Sequence, residues 1–145
     1  MMMRKLTSRF LALGLLLSVG FANVYAQDVT DEDLKNYAII ELAKNSITSG
    51  ISPMVNEMIE KQEGMTGQRF QELQKSAGAG AEEWEQKFLA VVNKQIDKKK
   101  KAATDVVKLL ASNAMGAAKY KATKSAISSN ADMKSKFDGY VASLK

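Results

Sequence analysis

The sequence predicts an all-α fold: a small helical domain of two roughly 50-residue repeats, each a long helix then a short one, plus a C-terminal helix. Three observations predict it. Apolar residues recur at three- and four-residue spacing from Val29 to Leu144, the period of one helix face. Proline is limited to Pro53 among 145 residues, so little interrupts helices. No run alternates apolar and polar residues with β-branched enrichment, the pattern of a half-buried strand.

Residues 1–26 read as a cleavable signal peptide before the fold begins. Arg4, Lys5 and Arg9 form a basic start, Phe10 to Phe21 is a short uncharged apolar run, and Val24-Tyr25-Ala26 supplies small side chains at the positions a signal peptidase reads. Cleavage is expected after Ala26. The run is well short of the roughly 20 residues that cross hydrocarbon, so a transmembrane anchor after cleavage is not expected. No cysteine follows it to carry a lipid. The expected location is the periplasm or the exterior, with residues 27–145 as one helical domain.

Within that domain Thr30 is placed to cap a first helix, with Asp31, Glu32 and Asp33 complementing its dipole. That helix fades at Ser49-Gly50. Ser52 before Pro53 predicts a restart, a capping hydroxyl followed by a proline whose missing N–H costs nothing in a first turn. Met54, Val55, Met58 and Ile59 form the buried stripe of this second segment, which Gly64 ends. A short helix then holds Phe70 and Leu73. Ser76 to Gly80 reads as a flexible linker. A long helix is expected from about Ala81 to Asn113, a short one from about Ala117 to Ser128, and a last from Asp132 to Leu144. The last carries the clearest apolar face: Met133, Phe137, Tyr140, Val141 and Leu144.

Self-similarity turns these helices into an architecture. A displacement of 50 residues sets Asp33-Leu34 on Glu83-Trp84, Leu42 on Val92, Met65 on Met115, Arg69 on Lys119 and Phe70 on Tyr120. A further displacement of 49 sets Glu83-Trp84 on Asp132-Met133, Phe88 on Phe137, Val91 on Tyr140 and Val92 on Val141. The units run over about 31–80 and 81–130, with the C-terminal helix at 132–144. In each, a methionine precedes a small capping residue (Thr66 or Gly116) and an aromatic lies five residues beyond it, the spacing of a hydrophobic staple. Generic likeness between amphipathic helices is the plainer alternative.

VTDEDLKNYA, EGMTGQRFQELQKS and the second-unit echo AMGAAKYKATKS resemble the bacterial domain of unknown function numbered 4168, a small exported helical family with a duplicated pattern. The resemblance covers most of residues 27–145 and implies a periplasmic or secreted helical domain. It brings no catalytic residues. The lysine run and the glycine-alanine linker depart from the family's pattern.

The chain carries 21 basic and 16 acidic residues, but three bases lie in the leader, leaving 18 against 16. The remaining charge is uneven: 27–80 has 5 basic and 9 acidic residues, 81–145 has 13 and 7. Lys98, Lys99, Lys100 and Lys101 span more than one helical turn, so no face of the helix is apolar there and the segment stays in solvent. Solvation is the plain reading of such a run. The functional reading is an anionic-surface site formed by these four with Lys94 and Lys108. Nucleic acid is not the expected partner, because Arg69 is the one arginine after the leader and no aromatics interleave with the lysines to stack bases.

Histidine and cysteine are both absent, which removes catalytic triads, thiol nucleophiles, disulfides and ordinary zinc sites. No Ser-x-x-Lys signature occurs, and Gly78-Ala79-Gly80 lacks the lysine and hydroxyl of a phosphate loop. Asp31-Glu32-Asp33 lacks the ligand spacing of a calcium loop and reads as dipole complementation. Met54 and Met58, one turn apart, suit copper(I) in principle but read first as core packing, as do Trp84, Phe88, Phe137 and Tyr140. The expectation is therefore no catalytic residue, no metal and no cofactor, in an exported non-catalytic helical protein of the bacterial envelope that works through protein or surface contacts. An envelope or secreted protein is the expected partner. The alternative is an anionic-surface or holdase-like binder using the lysine run, and a third reading is a carboxylate-based hydrolase.

Overall fold

The computed structural model describes residues 29–145, so the expected signal peptide at 1–26 and cleavage after Ala26 lie outside the described residues. Among the described residues there are six helices and no strand: α1 (Asp31–Thr48), α2 (Ile51–Lys61), α3 (Gly67–Lys75), α4 (Glu83–Ala114), α5 (Ala117–Ser129) and α6 (Ala131–Ser143). The all-α class read from periodicity therefore holds.

Three of the helices, α1, α3 and α6, start where a side chain at the N-cap accepts from backbone donors of the first turn. Thr30 caps α1 in a reciprocal box: Asp33 N–H donates to Thr30 Oγ1 (3.1 Å) while the Thr30 N–H donates to the Asp33 carboxylate (2.8 Å). Thr66 accepts from Arg69 N–H (3.1 Å) at α3, and Asn130 accepts from Asp132 and Met133 at α6. The restart at α2 differs from the sequence reading. Gly50, not Ser52, is the N-cap, with no side-chain bond, and Pro53 sits third in the helix. Its missing N–H is tolerated there because the first turn's N–H groups have no intrahelical acceptor, and the first backbone bond runs from Met54 N–H to Gly50 O (3.3 Å).

The segment expected to be a flexible linker is a hydrogen-bonded turn. Gly78 N–H reaches Leu73 O (2.7 Å) and Ala77 N–H reaches Gln74 O (3.3 Å), the paired bonds of a Schellman C-cap. Ala77 takes the left-handed conformation (φ 51°) that this motif usually gives to glycine.

The 32-residue α4, about 48 Å long at 1.5 Å per residue, is the spine. The C-terminal end of α1 lies beside its middle, where Lys44 and Thr48 face Lys100 to Lys108. The start of α1 meets α5, which follows the end of α4, so α1 runs antiparallel to the C-terminal half of α4. After the turn at Ser49-Gly50, α2 continues along the N-terminal half. There Val55, Ile59, Met65, Phe70, Leu73, Phe88, Leu89 and Val92 form the core, with Met54, Met58 and Trp84 packed on its edge. A fully buried aliphatic side chain contributes about 1.5–3 kcal/mol, and Leu73 and Val92 are of that kind. At the other end Leu34, Tyr37, Ala38 and Ile40 of α1 are buried with Ala103, Ala111, Thr123 and Ala126. The Tyr37 ring lies 5.0 Å from Tyr120 and 5.6 Å from Phe137. Despite its clear apolar face, α6 has no buried residue; Met133, Phe137, Tyr140 and Val141 are half-buried and Leu144 is exposed. It packs against α1 and α5.

Like contacts fasten both ends. Arg69 holds Glu85 bidentately, Nε to Oε1 at 2.7 Å and Nη2 to Oε2 at 2.9 Å, and the same carboxylate accepts the Glu82 N–H (2.8 Å) that opens α4. Lys119 lies 3.4 Å from Asp33, the carboxylate that closes the cap of α1. Beside each pair an aromatic contact follows, Phe70 with Phe88 at 6.2 Å and Tyr120 with Tyr37 at 5.0 Å. The uneven charge is thus partly cancelled within the fold, since Lys136 also meets Asp31 at 2.8 Å.

Candidate functional site: the lysine ridge of α4

Lysine favours helix almost as well as leucine, so a run of four does not break α4. What it breaks is burial. Val92, Ile96, Ala103, Val107 and Ala111 trace one seam against the rest of the fold, and the turn that would continue it between Ile96 and Ala103 is lysine. All six candidate residues, Lys94, Lys98, Lys99, Lys100, Lys101 and Lys108, are exposed. Lys101 pairs with Asp105 one turn on; the other five have no ion-pair partner among the described residues.

The six do not form one cluster. At roughly 100° per residue, Lys94, Lys98 and Lys101 share the outer stripe of α4, facing away from the seam. Lys99 turns to one shoulder, beside the break between α1 and α2, where its Nζ lies 4.0 Å from the place a Cβ on Gly50 would occupy. Lys100 and Lys108 turn to the other shoulder and line a groove with Ala103, Thr104 and Val107 of α4 and Lys44 and Thr48 of α1. The groove encloses about 310 Å³. Its floor is apolar, and three lysines are among the residues that line it. Lys44 is tied to Glu41 at 2.6 Å, and Glu41 also accepts from the Tyr120 hydroxyl at 3.0 Å.

Lys44 was not legible as a site residue: it is an isolated lysine 56 positions before Lys100, and only the antiparallel packing of α1 on α4 brings them together. A second groove of about 420 Å³ lies between the end of α2 and the start of α4, lined by Met58, Lys61, Gln62, Trp84, Lys87, Phe88 and Val91. Its two lysines are neutralised by Glu57 and Glu83, so it presents no comparable charge.

The buried carboxylates have structural partners. Burial pushes the Asp33 carboxyl up, but the Thr30 N–H and hydroxyl and the Lys119 ammonium outweigh it and hold the group below its ordinary value. The Arg69 guanidinium and the Glu82 N–H hold Glu85 below its own. Neither lines either of these two grooves. Burial, reinforced by the Glu41 charge, pushes the Tyr37 phenol well up. Among the described residues no cluster of three metal-ligating side chains occurs, and no helix is long and apolar enough to cross a membrane.

Fold and face together define an all-α protein that presents a cationic helix ridge beside an apolar groove. No family model matches the chain, and no curated protein or solved structure matches it either.

Proposed function

We propose that this chain is an exported, non-catalytic helical protein of the bacterial envelope that works by contact, with the α4 ridge as its surface for anionic partners. The observation that carries this reading is the set of five exposed lysines without ion-pair partners along about 21 Å of one helix. Unpaired lysines close together on a helix cost self-repulsion that any other good helix former would avoid, which favours a role outside the fold. The leader at 1–26 sets the compartment, periplasm or exterior, where phospholipid head groups and other envelope polyanions supply the complementary charge. The resemblance to domain family 4168 accords with export and adds no activity.

The reading includes a duplicated architecture. The like fastenings Arg69–Glu85 with Phe70–Phe88 and Lys119–Asp33 with Tyr120–Tyr37 support it. They also refine its register: the short helices correspond at a displacement of 50, whereas the capping acids Asp33 and Glu85 correspond at 52. In this view α4 is the unbroken counterpart of α1 and α2.

Vesicle co-sedimentation tests the surface role. Residues 27–145 should bind phosphatidylglycerol-containing vesicles at low ionic strength, release them as salt rises, and ignore pure phosphatidylcholine. Each lysine near an anionic surface is worth about 1 kcal/mol, so Lys94→Gln, Lys98→Gln and Lys101→Gln together should weaken partitioning about a hundredfold. Equal binding by wild type and triple variant would end the proposal.

A further inference from the structure

We infer that the groove between α1 and α4 is a binding site for a single-chain anionic amphiphile, an acyl chain bearing one carboxylate, sulfate or phosphate head. Its two chemistries have to be met together. The floor, Ala103 and Val107, offers nothing to a hydrated ion. The rim, Lys44 from one helix and Lys100 and Lys108 from the other, repels a cation and leaves an uncharged chain's head without a partner. Lys100 and Lys108 stand two turns apart on one side with Thr104 between them, so an apolar tail laid along Val107 brings its head beside the two lysines of α4. Lys44 is already fastened to Glu41, which leaves Lys100 and Lys108 as the two available charges. At about 310 Å³ the groove sits at the small end of ligand sites, a volume for one short chain and not for a two-chain phospholipid. The larger groove beside Trp84 lacks this pairing, because Glu57 and Glu83 neutralise its lysines.

The inference goes beyond the surface role, although it shares Lys100 and Lys108 with the ridge. The two can be separated because the outer stripe, Lys94, Lys98 and Lys101, does not line the groove. The experiment is titration of residues 27–145 with sodium dodecanoate below its micelle concentration, followed by calorimetry and by amide NMR. Saturable binding is expected, with shifts centred on Thr48, Ala103 and Val107; neither dodecyl maltoside nor acetate should reproduce it. Thr104→Trp, an exposed helix position at the groove mouth, should weaken dodecanoate at least about tenfold while leaving vesicle binding intact. Lys100→Gln with Lys108→Gln should do the same to dodecanoate by a route that adds no bulk, and covers the case in which the tryptophan variant fails to fold. The outer-stripe triple variant should keep dodecanoate binding while losing vesicles. No saturable binding, binding by dodecyl maltoside of equal strength, or dodecanoate binding unchanged in both groove variants would each overturn the inference without touching the vesicle result.

Discussion

Thr123 is fully buried in α5, and its hydroxyl has no hydrogen-bond partner, an uncommon state for an interior polar atom. Replacing it by the nearly isosteric valine removes the desolvation penalty while keeping the packing volume. Thr123→Val should therefore raise stability by about 1 kcal/mol, read as a higher urea midpoint at unchanged slope. A loss of stability would show that the hydroxyl is satisfied in solution. Asp33 and Glu85 are the opposite case, buried acids with every demand met. Neither role was legible residue by residue. Asp33 read correctly as a helix-start acid, but its pairing with Lys119 joins positions 86 apart, and no local signal announces that.

The turn from α3 to α4 shows how an element's end can be built against its residue's preference. Ala77 holds a left-handed conformation at the position where the Schellman bonds require it. An L side chain there costs roughly 1–2 kcal/mol, less the extra chain entropy glycine loses on folding. Ala77→Gly should thus stabilise residues 27–145 by about 0.5–1 kcal/mol, measurable by chemical denaturation. Helix number and approximate bounds were visible from apolar spacing and from Thr30, Thr66 and Gly116, because these are local effects. The restart at α2 was misplaced by two residues because Ser52-Pro53 matches a helix start in isolation. In the fold, α1 and α2 turn tightly at Ser49-Gly50, which leaves no room for a separate cap.

Taken whole, the molecule is an antiparallel pairing of α1 and α2 with α4, fastened at each end by a short helix and an ion pair. Those fastenings make stability depend on pH. Asp33 and Glu85 titrate lower in the fold than their ordinary 3.8 and 4.5, so the folded state binds fewer protons than the unfolded chain near those values. Their contribution is present in full above about pH 5 and falls away as pH drops through and below those values. At the alkaline end Tyr37 titrates higher in the fold than its ordinary 10.0, so its contribution is complete below pH 10 and is lost above it. Thermal midpoints should therefore be flat across neutral pH and fall on both sides. Exchanging Asp33 for Asn should make the acid limb shallower, with Glu85 supplying the rest, and an unchanged acid limb would show that the Asp33 pairing contributes nothing.

From the residues alone came the all-α class, the run of helices, the exposure of the lysine ridge and the expectation of export. Each of these depends on neighbours within a turn or two, or on composition, and such effects are carried by short stretches of chain. What the packing supplied is the shape of the candidate site. Lys44 reaches Lys100 and Lys108 across the α1–α4 contact, Lys99 falls beside the α1–α2 break, and the outer three lysines part from the groove pair. The physical reason is that a helix spreads consecutive residues around its axis, so a run that is one block on paper becomes several faces. Which face meets which neighbour is set by burial of the seam from Val92 to Ala111, a contact between helices far apart along the chain.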